Sequence, residues 1–483
     1  MLPPLLGRFR LAWTPILTTY FCYGASTVTA LAELFFQKDV LHLDPAEAAG
    51  IAFWVNLPWA MKMVAGVASD AYPILGSRRT AYLLLGASCS LIGYGLLATV
   101  VSTTGAFLGA ALLVTVGFMV QDVVADALSV EVAETDEEIG QIQTLGRMAL
   151  LLGGISVGYL SGWLTGTIGA RATFAVATVL PLIVAGSLIL GRRGGSRPVV
   201  SSSAGGWLGG GKTRLVLLVG LGYAAVGVLL QTFGVPFAME IVLIVSLVMI
   251  GVLLHRVGIS RSVVIASIVI FLFRATPAVG QGYSYWAIDR LGFDEKFLGV
   301  LAQVGAVLSF LGLIVFRKTI VKRPVSFTML WVVVAGTVLS LPTIGLFYGL
   351  HEWLGISARA LAFIDTTITA PLAQLMMVPM LVLIARMAPP GAEATMFAIM
   401  ASLMNLALSA SQLFTQYLND VFHVTQQDYS NLGWLMITVG LIGLLPLLAL
   451  PLLWHEERAP AAPAAPARAE PRVEVAPGSQ PSR

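Results

Sequence analysis

Charged residues are scarce in this chain. Only 11% of the 483 residues are Asp, Glu, Lys or Arg, whereas 57% are hydrophobic. A soluble globular domain carries about 25% charged residues, so this chain has too little charge to cover a water-facing surface. This scarcity excludes a soluble protein. The net charge of only +3 gives no reason to expect nucleic-acid binding.

Cysteine and histidine are also rare. The two cysteines, Cys22 and Cys89, lie in apolar runs without metal-ligand spacing, and the five histidines do not cluster in any apolar run. No disulfide framework, metal site or cofactor is therefore predicted. The zinc-protease sequence HExxH does not occur either, and an integral-membrane enzyme is not expected.

Long apolar runs dominate the sequence instead. Each is long enough to cross a hydrocarbon core of about 30 Å, and glycine, with 49 residues, is as frequent as expected where helices approach closely in lipid. Fourteen membrane spans are predicted. They lie near residues 13–37, 47–68, 80–101, 105–130, 141–165, 171–190, 214–232, 236–256, 261–288, 296–316, 326–350, 360–387, 394–420 and 431–454.

The predicted spans fall into two groups of six with a pair between them. The domains are residues 1–190 with six spans, 191–260 with a Gly/Ser-rich linker and two spans, 261–455 with six spans, and a disordered Ala/Pro-rich tail, 456–483. An internal repeat is indicated by one offset that aligns Asp39, Leu41 and Asp44 with Asp289, Leu291 and Asp294. Repeated six-helix halves are the architecture of the major facilitator superfamily. The predicted fold is all-α and integral to the membrane, in a 6+2+6 arrangement.

Lysine and arginine are distributed unevenly between the loops. If the N-terminus is cytoplasmic, most of them fall in cytoplasmic loops, and the external loops hold only Lys38, Arg171, Arg290, Lys296 and Arg359. Cytoplasmic loops carry an excess of positive charge, so both termini are predicted to be cytoplasmic. The expected location is a bacterial inner membrane, with the protein as a monomer in the lipid bilayer.

Four ionisable residues are predicted to line a central cavity. A charge at the bilayer centre costs about 2.5–3.5 kcal/mol, so each needs a partner or water. The first and fourth helices of each half line the cavity in this superfamily, and they carry Glu33, Asp122, Arg274 and Asp365. All four are candidate substrate-binding residues. The Arg274 guanidinium can hold a carboxylate through two hydrogen bonds; the alternative is that it pairs with Asp365 or Glu33.

Three tyrosines are further substrate-binding candidates. Tyr20 and Tyr23 lie in the first span, deep enough to stack on a flat ring, and Tyr283 follows Arg274 in the ninth span. The alternatives are ordinary packing for Tyr20 and Tyr23 and an interfacial aromatic belt for the aromatic residues after Arg274.

A second group of charges is predicted at one depth in the first half. Asp122 and Asp126 are four residues apart and share one helix face. Lys62 and Arg147 lie at a depth similar to that of Asp126, so two acids and two bases can form a neutral cluster. One interpretation is a structural ion-pair network. The other is that Asp122 takes up a proton during transport, with a binding anion altering its neighbouring cation.

The loop after the second span carries a conformational motif. Gly66, Asp70, Gly76, Arg78 and Arg79 resemble the loop between helices two and three of the major facilitator superfamily. This resemblance implies a latch in which Asp70, Arg78 and Arg79 act with Glu131 at the end of the fourth span. Such a latch favours the outward-open state and does not bind substrate.

Six segments resemble the folate–biopterin transporter family of this superfamily. They are FFQKDVLHLDPAEA, LPWAMKMVAGVASDAYPILGSRR, QDVVADALSVE, LGRMALLLGG, RATPAVGQGYSYWAIDRLGFDEKFLG and ARMAPPGAEATMFAIMASLMN, and they extend over roughly residues 20–420. The last segment is the most discriminating, whereas the third and fourth are shared with the muropeptide permeases. Two features depart from the family: the acidic EVAETDEEIG, and Arg274 at a position where the family usually has a neutral residue.

The resemblance implies proton-coupled secondary transport of folates or pterins. The polar edge of a pterin suits Asp122 or Asp365, and the glutamyl carboxylates of a folate suit Arg274, Arg147 or Lys62. Two alternatives stay open: a transporter of another small solute, such as a muropeptide, an amino-acid-like anion or a sugar, and a non-transporting membrane assembly factor. The last segment argues against muropeptides. The ionisable residues retained inside the membrane argue against an assembly factor.

Overall fold

The structure is a computed structural model of the whole chain. It describes residues 10–74, 76–193, 210–257, 260–373 and 393–458, together with 375, 379–380 and 383–384. Helices dominate these residues, which contain one isolated β-bridge, between Ile74 and Ser77, and no strand. The all-α membrane architecture predicted from the sequence is confirmed. Most of the predicted linker, the end of the twelfth span and the predicted tail beyond Arg458 lie outside the described residues.

The first six predicted spans correspond to helical stretches that we number α1 to α6. Their bounds are α1, which passes through Thr14–Ala25, Ser26–Thr29, Ala30–Phe35 and the π-turn Phe36–Val40; α2a, Pro45–Ala60; α2b, Lys62–Ala71; α3, Thr80–Thr99; α4, Thr104–Val132; and α5 with α6, which run through Asp136–Ala177 and Val179–Arg193 and divide at Gly169. We call residues 10–193 the N-half.

The remaining stretches are numbered α7 to α14. Their bounds are α7, Gly210–Thr232; α8, Ala238–Val257; α9a, Arg261–Arg274; α9b, Gln281–Leu291; α10, Glu295–Lys322; α11, which runs through Val325–Leu339, Leu341–Phe347 and Leu350–Trp353; α12, Ala358–Thr369; α13, Glu393–Val421; and α14, which runs through Leu432–Ile442, Leu445–Ala449 and Leu450–Arg458. We call residues 260–458 the C-half.

Ten helical stretches among the described residues are long and apolar enough to cross a membrane. One of them, Glu137–Leu190, covers two predicted spans, because α5 and α6 join without a loop at Gly169. Among the predicted spans not included, α9 is interrupted after Arg274, and much of the span after α12 lies outside the described residues. The count of fourteen spans therefore stays a prediction.

The two halves meet along paired helices. α2a packs along α13, and α5 packs along α10. The second contact depends on small residues, because a methyl group added to Gly162 would lie 2.1 Å from the backbone oxygen of Glu295. Close approach through glycine is typical of helices in lipid. We call the end of the bundle that carries residues 41–44, 292–294 and 422–431 the turn end, and the end that carries residues 72–79 the loop end.

Two helices are broken near their middle. α2a contains Pro58 and ends at Ala60, Met61 has non-helical torsions, and α2b begins at Lys62. Proline lacks the backbone donor that continues a helix. The other break separates α9a from α9b at residues 275–280, where Pro277 and Gly280, with a φ of 68°, interrupt the helix. Each break lies directly beside a cation, Lys62 in α2b and Arg274 in α9a.

Candidate functional site

An ion pair joins α2b to α4 directly beside the break in α2. Lys62, the first residue of α2b, pairs with the buried carboxylate of Asp122. The Lys62 ammonium also lies 5.1 Å from the centre of the Trp59 ring, on the other side of the break. That ring stacks on Tyr23 of α1 with 5.1 Å between ring centres. A buried carboxylate needs such a countercharge, because unpaired charge is very costly in an apolar interior.

The predicted cluster of two acids and two bases forms only in part. Asp126, one turn beyond Asp122, accepts a hydrogen bond from the hydroxyl of Tyr20. The Arg147 side chain is exposed and makes no ion pair with any described residue. The phenol of Tyr20 therefore occupies the position beside Asp126 that the sequence suggested for a base. The geometry pairs Lys62 with Asp122, whereas Arg147 lies near Tyr20 and Tyr23 and forms no ion pair with a described acid.

Arg274 ends α9a with unused hydrogen-bonding capacity. Its Nε atom is buried and has no hydrogen-bond partner, and the guanidinium pairs with no carboxylate among the described residues. Glu33 accepts a hydrogen bond from Thr29 at 2.7 Å, and Asp365 accepts one from Thr343 at 2.9 Å. The alternative pairing of Arg274 with Asp365 or Glu33 is thus not formed here. The Tyr283 ring packs beside Trp286, with 5.8 Å between centres.

Polar side chains of α13 hold the break in α9. Ser411 donates to the Thr276 oxygen at 2.7 Å, Thr415 accepts from the Ala278 N–H at 3.0 Å, and Asn419 donates to the Val279 oxygen at 3.2 Å. These three residues are four apart and share one face of α13. They satisfy backbone groups that the interrupted helix leaves without partners. These three residues are not among the predicted site residues. The four-residue spacing of polar side chains in one apolar span, with Pro277 and Gly280 interrupting another, is the sequence pattern that could have indicated them.

Three residues of the predicted latch, Asp70, Arg79 and Glu131, form a network at the loop end. Arg79 lies 2.7 Å from Asp70 and 2.6 Å from Glu131, and it donates to Ser69 at 2.9 Å. Burial lowers the pKa of the Arg79 guanidinium, but its hydrogen bonds and charge contacts with Glu131 and Asp70 outweigh burial and raise it. Arg79 thereby joins the end of α2b to the end of α4. Arg78 lies in the same loop.

The turn end carries a lock between the halves that the sequence analysis missed. The Lys38 side chain of α1 is only 9% exposed and lies 2.7 Å from Asp289 of α9b. Tyr429 donates to the other oxygen of Asp289 at 2.6 Å. Gln426, in the loop before α14, donates through its backbone to Asp44 at 2.9 Å and through its side chain to the Leu43 oxygen at 2.7 Å. These contacts tie the N-half to the C-half at this end.

Comparison with known proteins decides the family. The sequence model of the BT1 family matches residues 24–462. The chain belongs to the BT1 family. It is 30% identical over 445 residues to the folate-biopterin transporter of Synechocystis sp. (strain ATCC 27184 / PCC 6803 / Kazusa), covering 91% of this chain and 81% of that protein. It is 23% identical to folate transporter 1 of Plasmodium falciparum (isolate 3D7), covering 89% and 77%. The resemblance inferred from six sequence segments is confirmed.

Solved structures of transporters have the same fold as this BT1 family member. A POT family transporter in complex with 5-aminolevulinic acid superposes with a TM-score of 0.70 at 14% identity, covering 93% of this chain and 96% of that one. The nucleoside transporter NupG gives 0.62 at 12% identity, covering 92% and 99%. At such low identity these structures establish the fold alone. The major facilitator architecture is thereby confirmed.

Two short sequences of this BT1 chain match enzyme patterns by spacing alone. GISVG, residues 154–158, fits the nucleophile pattern GxSxG, and GWLGGGKT, residues 206–213, fits the phosphate-loop pattern. Both patterns require a strand that leads into a turn and a helix. GISVG lies inside α5, and no strand occurs among the residues that the structure describes. GISVG therefore lacks the context that its chemistry needs, and residues 206–209 of the second sequence lie outside the described residues.

Proposed function

We propose that this BT1 protein moves folate- or pterin-like organic anions across the membrane by alternating access, coupled to protons. One observation carries the proposal: each half places a cation at a break in its own helix, Lys62 in the N-half and Arg274 in the C-half. A guanidinium with a free Nε suits a substrate carboxylate. The names of the relatives supply the substrate class.

The contacts between the halves support alternating access. The halves are tied at the turn end by Lys38, Asp289 and Tyr429. We assign the turn end to the outside and the loop end to the cytoplasm, in accord with the distribution of lysine and arginine. On that assignment the structure is closed to the outside, and the turn-end lock opens in the opposite state. The Arg79 network is formed here together with that lock, so this network alone does not select the outward-open state. Both termini are then cytoplasmic, in an inner membrane, with the protein acting as a monomer.

The Lys62–Asp122 pair offers a mechanism for proton coupling. A substrate carboxylate that binds Lys62 competes with Asp122 for its only ion-pair partner among the described residues. Asp122 is then left buried without a countercharge, which is strongly unfavourable. A proton is the smallest cation that can replace Lys62 there. Anion binding and proton uptake are linked in this way, and the same carboxylate can release the proton when Lys62 returns.

Uptake by the purified protein tests this proposal. Proteoliposomes receive labelled folate or labelled pterin, with and without an inward proton gradient, and protein-free liposomes and a protonophore serve as controls. Saturable uptake that the gradient accelerates and the protonophore abolishes is the expected result. No uptake of either compound by folded protein would reject this substrate class. An unbiased binding screen would then address the other small solutes, which include amino-acid-like anions and sugars.

A further inference from the structure

The break in α2 is bridged from the opposite half of the molecule. The carbonyl of Trp59 lies in the last turn of α2a, where carbonyl groups lose their intrahelical partners. Asn405 of α13 donates its side-chain N–H to this oxygen at 3.0 Å. Trp59 belongs to the N-half and Asn405 to the C-half, so this hydrogen bond crosses between the halves.

Side chains of α13 therefore form hydrogen bonds with backbone groups at the breaks of both α2 and α9. Ser411, Thr415 and Asn419 satisfy the α9 break inside the C-half, and Asn405 satisfies the α2 break in the N-half. The bonds to α9 stay within one rigid half when the halves move. The bond from Asn405 to Trp59 is different, because it joins the two halves and can therefore break when they separate.

A short chain of contacts connects Asn405 to the charged site. The Trp59 carbonyl receives the Asn405 hydrogen bond, and the Trp59 ring stacks on Tyr23 and lies 5.1 Å from the Lys62 ammonium. Lys62 in turn pairs with Asp122. The backbone that Asn405 holds is thus only three residues from the cation of the site.

We propose that Asn405 is a positioning residue that couples closure of the turn end to the Lys62–Asp122 pair, through the Trp59 carbonyl at the α2 break. The proposal rests on alternating access, but it does not depend on which solute is carried. With the Asn405 bond formed, α2a and α13 are held together about midway between the turn end and the loop end, and the last turn of α2a is fixed beside Lys62. Loss of the bond favours opening of the turn end.

Accessibility of the turn end tests this inference without any substrate. Leu43, which is 3% exposed at the turn end, is replaced by cysteine in a background with Cys22→Ser and Cys89→Ser, and maleimide labelling is timed in proteoliposomes. Asn405→Leu and Asn405→Ala both remove the donor. Because one neutral hydrogen bond is lost, each should raise the labelling rate about 3- to 10-fold. Size-exclusion profiles and melting curves identify any variant that does not fold.

Two controls make the result decisive. Ser309→Ala removes a side-chain bond to the Ala370 oxygen, 2.8 Å long and confined to the C-half, so it should leave labelling unchanged. Lys38→Met breaks the turn-end ion pair and should raise labelling, which shows that the assay detects opening. Wild-type labelling in both folded Asn405 variants, with a raised rate in Lys38→Met, would overturn the proposal.

A double-mutant cycle distinguishes an effect of Asn405 on the Lys62–Asp122 pair from a general weakening of the contact between the halves. Lys62→Met removes the ion pair directly, and Asn405→Leu is predicted to act on the same pair through Trp59. The two effects on labelling rate should therefore be non-additive, as expected for residues in one network. Additive effects would reject the link to Lys62. If folate and pterin uptake both fail while these labelling results hold, the substrate assignment fails and the inference about Asn405 stands.

Discussion

Lys38 of α1 and Asp289 of α9b form a 2.7 Å ion pair between the two halves, with Tyr429 donating to the same carboxylate. Residue Asp39, beside Lys38, aligns with Asp289 in the internal repeat, so equivalent turns of the two halves face each other here. Ion pairs of this kind can close one side of a transporter in one state and break in the other. The Lys38–Asp289 ion pair should therefore hold the turn end closed.

Exchange of the two charges tests the turn-end lock. Lys38→Asp or Asp289→Lys alone places two like charges together and should open the turn end, which raises cysteine labelling at Leu43→Cys. The double exchange restores an ion pair of reversed sense and should bring labelling back toward the wild-type rate. A double variant that labels as fast as the single variants would show that the pair does not act through charge.

Arg274 should be required for substrate binding. Arg274→Ala removes a guanidinium whose Nε has no partner among the described residues, so the fold should be retained and the protein should reach the membrane normally. Hydrogen bonds to charged groups contribute about 1.5–3 kcal/mol, which corresponds to a loss of affinity of about 10- to 100-fold. Equilibrium binding and uptake measure this loss.

Arg274→Lys is the matched variant for this test. It keeps the positive charge but lacks the planar fork that holds a carboxylate at two points. We expect it to recover part of the binding lost in Arg274→Ala. Normal transport by Arg274→Ala would remove this residue from the site.

Substitution of Asp122 should abolish uphill transport but leave substrate exchange intact. In Asp122→Asn the side chain cannot bind or release a proton, and Lys62 loses its countercharge. Gradient-driven uptake should be lost, whereas counterflow exchange of internal for external substrate should persist, because exchange needs no net proton movement. Glu240→Gln is the control, because it neutralises a carboxylate in α8, one of the two helices inserted between the N-half and the C-half. Uphill uptake at the wild-type rate in Asp122→Asn would contradict the coupling role.

The residue types and depths in the sequence predicted some of these contacts but not all of them. The contact between Arg79 and Glu131 is implied by the resemblance of residues 66–79 to a loop of the major facilitator superfamily. Lys62 and Arg147 were placed at one depth, but depth does not specify the direction in which each side chain points around its helix. That direction depends on packing, which turns Lys62 toward Asp122 and leaves Arg147 exposed.

Uncharged polar contacts and irregular helices were the least predictable features. Lys38 was assigned to an external loop, whereas the π-turn Phe36–Val40 extends α1 and buries its side chain. Asn405, Ser411, Thr415 and Asn419 carry no charge, so a search for ionisable residues in apolar spans passes over them. Their role follows from the breaks in α2 and α9, whose unpaired backbone groups require partners.

The hydroxyl of Thr415 should stabilise the break in α9. Thr415→Val keeps the side-chain shape but leaves the Ala278 N–H without its acceptor. A buried donor left unsatisfied costs about 1–3 kcal/mol, so thermal unfolding in detergent should occur at a lower temperature. Because Arg274 precedes this break, substrate affinity should fall as well.

Thr165→Val in α5 provides the matched comparison. Thr165 and Thr415 are both buried, and each donates to the backbone oxygen four residues earlier at 2.8 Å. Among the described residues, only Thr415 also accepts a hydrogen bond from outside its own helix, from the Ala278 N–H in the α9 break. The difference in stability between the two variants therefore isolates that bond. Equal destabilisation by both substitutions would mean that the α9 break is held by the rest of the α13 face, chiefly Ser411 and Asn419.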